Sequence, residues 1–162
     1  MTQPSTEFAP PETAETTVMT VWPSIAATPL GQRLGGLYAV RIGVGWLTVG
    51  KLIALASIPL VLPLYFAMLD PWRSRRYRLT NRRVIIERGV AGEAERAIGL
   101  TEFESVDIVV LPGQAWYPAG DLVFRREGLE VFRLPGVPRP EGFQQTILKT
   151  ARAYAGLAVQ AH

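Results

Sequence analysis

The chain predicts an α+β, mainly β head closed by one C-terminal helix and preceded by a transmembrane helical segment. Three observations predict it. Residues 52–69 (LIALASIPLVLPLYFAML) pass without a formal charge. Six arginines follow at once: Arg73, Arg75, Arg76, Arg78, Arg82 and Arg83. Beyond them, short runs of period two give way after Pro140 to a helical period.

Residues 1–17 (MTQPSTEFAPPETAETT) are rich in Pro, Thr and Glu. That composition buries too little apolar surface to offset chain entropy, so a disordered tail is expected. It carries no basic residue and no apolar core, so it does not read as a secretory signal. Residues 18–51 are mixed. A short apolar run (VMTVWPSIAA) meets a break at Gly31–Gly36, and an apolar stretch with Arg41, Trp46 and Lys51 follows. Two readings stay open: a segment lying along a membrane interface, with the basic residues snorkelling to phosphates, or the first arm of a membrane hairpin. Arg41 near the middle of such an arm carries an insertion cost of a few kcal/mol, which favours the interface reading.

The charge-free run of 52–69 is long enough for a helix to cover most of a hydrocarbon core about 30 Å thick. Pro59 and Pro63 withdraw two N–H donors, so a kinked span is expected, with a re-entrant hairpin and a buried soluble helix as alternatives. The arginines behind it hold that end in the cytoplasm by the positive-inside rule.

The head, 74–159, opens with Tyr77 and Leu79 alternating with Arg76, Arg78 and Thr80, a half-buried strand. Asn81 suits the turn that follows. Val84-Ile85-Ile86 is β-branched and ends at Gly89. A weaker strand covers 94–100, and Val106, Ile108 and Val110 fall on one face of the next. Residues 115–117 offer a short strand. Runs 122–124 and 129–134 flank Arg126-Glu127-Gly128, a hairpin connection in which glycine takes positive φ. The total is about six or seven strands. Pro140 suits a first helical position and Glu141 complements the helix start. Phe143, Ile147, Ala151, Tyr154 and Ala158 then share one face.

Composition excludes several chemistries. There is no cysteine, so disulfides, thiolate catalysis and cysteine-based zinc sites are out. The one histidine is His162, the last residue, which removes triad and imidazole-based hydrolase patterns. No phosphate-loop motif is present. No metal or cofactor is expected. Glu93, Glu95, Glu102, Glu104 and Asp107 alternate with apolar residues and read as a solvated strand face rather than an acid–base or metal set. Residues 1–70 hold three basic and four acidic groups; 71–162 hold fourteen and ten. The basic excess sits beside the apolar run, which points to lipid head groups and not to nucleic acid.

The run Tyr77-Arg78-Leu79-Thr80-Asn81-Arg82-Arg83-Val84-Ile85-Ile86, with Gly89 after it, resembles the opening of the bacterial pleckstrin-homology-like (PH-like) domains. Phe103-Glu104-Ser105-Val106 and Leu134-Pro135-Gly136-Val137-Pro138 are similar to later steps of that family, in the same order. The likeness covers residues 76 to about 155. It implies a split barrel of two nearly orthogonal antiparallel sheets plugged by the C-terminal helix, and a bacterial inner (cytoplasmic) membrane location. It does not imply an activity, and this sequence has no extended basic loop for an inositol phosphate, since Asn81 alone links the first strands.

The expected function is therefore a membrane-anchored, non-enzymatic interaction module for a protein or membrane surface, in one reading as a homo-oligomer. The alternative is an anionic-lipid sensor that uses Arg73, Arg75, Arg76, Arg78, Arg82 and Arg83. Thr80, Asn81 and Arg83 read as turn and scaffold residues. Trp116 and Tyr117, in the loop PGQAWYP, form a candidate interaction loop, because such side chains favour interfaces and bilayer surfaces.

Overall fold

The computed structural model describes residues 15–40, 42–44, 47–69 and 74–160. Most of the expected N-terminal tail lies outside them, as do Arg41, Trp46, Arg73 and His162.

Among the described residues, nine strands and four helices run in the order β1 (Thr17–Val21), α1 (Pro29–Tyr38), β2 (Gly43–Val44), β3 (Leu47–Thr48), α2 (Val49–Ala56), α3 (Ile58–Leu69), β4 (Arg75–Thr80), β5 (Arg83–Arg88), β6 (Glu93–Gly99), β7 (Ser105–Val109), β8 (Ala119–Arg126), β9 (Leu129–Pro138) and α4 (Pro140–Gln160). Single 3₁₀ turns at Ile25–Ala27 and Gln114–Trp116 join this framework. One antiparallel sheet has the order β1-β4-β5-β6, a second β7-β8-β9, and β2-β3 is a small ribbon. The two larger sheets and the C-terminal helix are the expected mainly β head.

The core follows from alternation. Tyr77 and Leu79 on β4, Val84 and Ile86 on β5, Leu122 and Phe124 on β8, and Phe132 and Leu134 on β9 face inward. Phe124 makes edge-on contacts with Phe103 and Phe132, at 4.9 and 5.5 Å between ring centres. Helix α4 contributes Phe143 and Ile147, both buried, with Ala151 and Tyr154 half-buried behind them. Tyr77 keeps its hydroxyl satisfied by donating to the Pro135 carbonyl at 2.7 Å, and burial pushes its ionisation far above the ordinary tyrosine range. The β8–β9 turn sits at Glu127 (φ 52°) and Gly128 (φ 79°), two left-handed residues as a tight hairpin requires.

Several expectations change. Thr17–Val21, the last residue of the expected tail and the first four of the segment expected to lie along a membrane or enter it, is a strand on the β4 edge, with Val21 opposite Tyr77 and Thr20 opposite Arg78. The chain then straps itself to the second sheet. The Ser24 amide donates to the Gly136 carbonyl at 2.9 Å, and Ile25 and Ala26 are buried. Gly136 has φ 61°, and a Cβ there would lie 2.4 Å from the Ala27 nitrogen, so only glycine allows the strap to sit this close. Residues 114–116 form a 3₁₀ turn instead of a strand. Val110 lies beyond the end of β7 and is exposed, whereas Val106 is buried.

The largest correction concerns 52–69. The expected transmembrane helix is two shorter ones, because the helix breaks at Ser57. Ser57 caps α2 through its amide, which donates to the Ile53 carbonyl, and its hydroxyl donates to the Ala54 carbonyl at 2.9 Å. Pro59, without an N–H, then suits only the first turn of a new helix. Eight residues rise about 12 Å and twelve about 18 Å, each well short of the hydrocarbon core. No helix among the described residues is long and apolar enough to cross a membrane.

Candidate functional site

Three candidate surfaces can be built from these elements. The first is the arginine cluster. Period two sends Arg76 and Arg78 to the face opposite Tyr77 and Leu79, where both reach Glu87 on the neighbouring strand. Arg76 Nε donates to Glu87 Oε2 at 2.5 Å, and Arg78 pairs with the other carboxylate oxygen. Glu87 is only 1% exposed, so the two guanidinium groups supply the compensation that a buried carboxylate requires. Arg75 makes a two-pronged contact with Glu95 on β6, at 2.9 and 2.7 Å. Arg83 does the same with Glu15, at 2.7 and 2.6 Å. That fork holds the Glu15 carboxyl below the usual carboxylate range and raises Arg83. Arg82 stands exposed in the β4–β5 turn. The arginines are thus distributed over two strands and a turn, and four of them are engaged by carboxylates of this chain.

The turn itself is a scaffold. Thr80 Oγ1 accepts from the Arg83 amide at 3.0 Å and donates to the Arg83 carbonyl at 2.9 Å. Asn81 Oδ1 accepts from the Thr16 amide at 3.1 Å, and the Asn81 amide returns a bond to the Thr16 carbonyl. Asn81 therefore staples the start of β1 to the hairpin. The acidic residues are likewise spent locally. Glu102 accepts from the Gly99 amide, Glu104 from the Glu127 amide, and Asp107 pairs with Arg125 at 2.8 Å. No group of three or more acidic or histidine side chains is placed to hold a metal among the described residues.

The second surface is the loop of Trp116 and Tyr117. Buried Gln114 fixes it: Oε1 accepts from the Leu111 amide at 2.8 Å, and Nε2 donates to Asp121 Oδ1 at 2.6 Å. Asp121, also buried, accepts in addition from the Gly136 amide at 2.9 Å and Arg133 Nη1 at 3.0 Å. Arg133 is held charged far above its usual range, first by Glu130 and also by Asp121. Helix α1 packs on this loop through glycine against glycine; a Cβ on Gly35 would stand 2.2 Å from the Gly113 carbonyl oxygen. Trp116 stays 41% exposed and meets Tyr38 of α1 edge-on at 5.7 Å.

The third surface is the helix pair α2–α3. Leu52, Leu55, Ile58, Leu62 and Phe66 are each half or more exposed. Helix α3 has its main contact with α2, which leans on α1 and β3. A cleft of about 460 Å³ at the foot of the pair is lined by Tyr38, Thr48, Lys51 and Trp116, so the tryptophan loop and the apolar arm are neighbours. Sequence reasoning treated them separately. Nothing local signals that contact, because α1 creates it. The β1 strand did carry a signal, four β-branched residues among the five of Thr17-Val18-Met19-Thr20-Val21.

The family model for the bacterial PH domain matches residues 32–151. The chain belongs to the bacterial PH domain family. The match begins inside α1 and takes in the apolar pair α2–α3 as well as the head. Domains of this class are generally non-catalytic interaction modules. No curated protein and no solved structure matches the chain.

Proposed function

We propose that this PH-like module docks on a membrane, at the cytoplasmic face of the inner membrane, by burying α2–α3 in the outer part of one leaflet. The carrying observation is the exposure of Leu52, Leu55, Ile58, Leu62 and Phe66 on two helices whose one charged residue is Lys51, in the first turn of α2, while α3 carries no charge at all. A helix that is apolar all round belongs in an apolar surround. A protein partner or a second copy would cover one side and leave the other in water; lipid covers every side. Full burial of a Leu, Ile or Phe side chain contributes about 1.5–3 kcal/mol. Five half-exposed ones give several kcal/mol together, enough for reversible attachment without a span. Lys51 and Trp116 at the foot of the arm suit head-group depth, the cation reaching phosphates and the indole lying at the interface.

The arginines play a lesser part in this reading, since Glu87, Glu95 and Glu15 already engage four of them. Flotation of the full chain with phosphatidylcholine vesicles, with and without phosphatidylglycerol, tests it. The native chain is expected to float with both, and the double variant Leu55→Glu, Phe66→Glu to stay behind with at least about tenfold loss of partitioning. Flotation only with the anionic vesicles, unaffected by the double variant, would transfer the function to the arginines. Native chain that stays monodisperse in detergent-free buffer and ignores both vesicles would end the membrane reading.

A further inference from the structure

A trough of about 720 Å³ runs beside β1, away from the apolar arm's own surface. Four consecutive residues, Met19 to Trp22, line one wall. Successive side chains of a strand point to opposite faces, so a depression lined by consecutive residues follows the strand's edge and not either face. That edge is open: β1 is the terminal strand of its sheet, and no described strand pairs with its outer side. Its backbone N–H and C=O groups there are a template for another strand.

The opposite wall is Pro138, Arg139 and Gly142, where β9 passes into α4. Proline brings no N–H, so this wall does not compete for backbone hydrogen bonds. Arg139 is exposed, and its guanidinium makes no ion pair or hydrogen bond with any described residue. It also sits at φ 46°, a backbone conformation costly for an arginine. Its amide, by contrast, is committed to the Pro118 carbonyl at 2.9 Å. As the residue before α4, Arg139 has no side-chain acceptor with which to cap the first N–H groups of the helix. A cation at the start of α4 therefore stands over an apolar trough that also includes exposed Trp22.

We infer that this trough binds an extended peptide, which adds as a strand to the outer edge of β1 and presents its C-terminal carboxylate to Arg139 and the start of α4. Charge complementarity selects the carboxylate, and the apolar wall selects hydrophobic side chains at alternate positions. Four residues of strand span about 13 Å, so a tetrapeptide or pentapeptide fills the site. Main-chain pairing supplies affinity, and the pockets and the carboxylate supply specificity.

The probe is a labelled Thr-Val-Thr-Val-Phe peptide, as free acid and as C-terminal amide, titrated by anisotropy into the full chain in detergent micelles. The free acid is expected to bind saturably and the amide about tenfold more weakly, as loss of one charge-assisted contact implies. Arg139→Gln should erase that difference. Gly142 offers a second handle, because a Cβ there meets nothing within 4 Å. Gly142→Trp should therefore fold normally and abolish binding of both peptides. Amide exchange along β1 should slow when the acid binds. No saturable binding, equal binding of acid and amide, or binding that survives Gly142→Trp in a folded protein would each overturn the inference.

Discussion

Helix α4 and the pair α2–α3 are both rich in large apolar residues, yet they end in opposite surroundings. On α4 those residues recur at three and four positions and share one face, so Phe143 and Ile147 reach 1% and 0% exposure. The rest of the helix carries Glu141, Gln145, Lys149 and Arg152 on exposed positions. On α3 the sequence puts apolar residues on every side, α2 adds Lys51 as its one charge, and Leu55 and Phe66 remain 66% and 65% exposed. Spacing, not hydrophobic content, decides which helix the head can bury. A one-sided stripe fits a sheet; an all-round coat presents no single face for a sheet to cover.

The sharpest way to break that contrast is one truncation on each side. Phe143→Ala should destabilise the head by about 3–5 kcal/mol through lost burial and a residual cavity. Phe66→Ala, with no packing to lose, should stay within about 0.5 kcal/mol of the native chain. Chemical denaturation followed by near-ultraviolet circular dichroism in one detergent measures both. Equal losses would mean that the arm is part of the folding core. Next in size, Gly136→Ala forces a left-handed alanine and drives its Cβ into Ala27. A loss of about 1–3 kcal/mol is expected, with earlier proteolytic cutting in the strap around residues 22–28 while β8–β9 stays protected.

The smallest effect is a pH dependence at the start of β1. Arg83 depresses the folded-state ionisation of Glu15, so the unfolded chain binds the proton more tightly. The stability this adds is present above the ordinary glutamate range, about 4.3, and fades as pH falls through the lower folded value. Amides of Thr16 and Thr17 should then exchange faster below about pH 4, and Glu15→Gln should remove that dependence. An unchanged pH profile in the variant would show that the fork contributes nothing there.

Most of the head was legible because its signals are local. Tyr77 and Leu79 alternate with polar neighbours, Asn81 turns the chain within two residues, and the α4 stripe repeats every turn. Partnerships across long separations were not. The carboxylates that take the arginines come from Glu95, twenty residues beyond Arg75, and from Glu15, sixty-eight before Arg83. An arginine-rich run therefore reads as free charge until the sheet brings its partners alongside. The apolar run was read as one membrane-spanning helix, whereas it forms two shorter helices, neither long enough to span. Charge and length are visible in a string of letters, whereas the break depends on Ser57 donating to the last carbonyls of α2 while Pro59 brings no N–H to continue the ladder. Trp116 was singled out as an interaction residue, yet its closeness to the arm needed α1 folded against the loop.

Strands β1 and β4 lie side by side, yet residues 22–74 intervene between them. The β4–β5 hairpin, by contrast, closes over Asn81 and Arg82 alone. Closing the longer excursion costs more chain entropy, so the hairpin forms early and β1 joins late, once the strap has wound past the second sheet. During synthesis, β1 and the arm emerge first and wait for β4. The arm is thus free to fold before its flanking strands meet, and the last pairing then clips the head shut behind it.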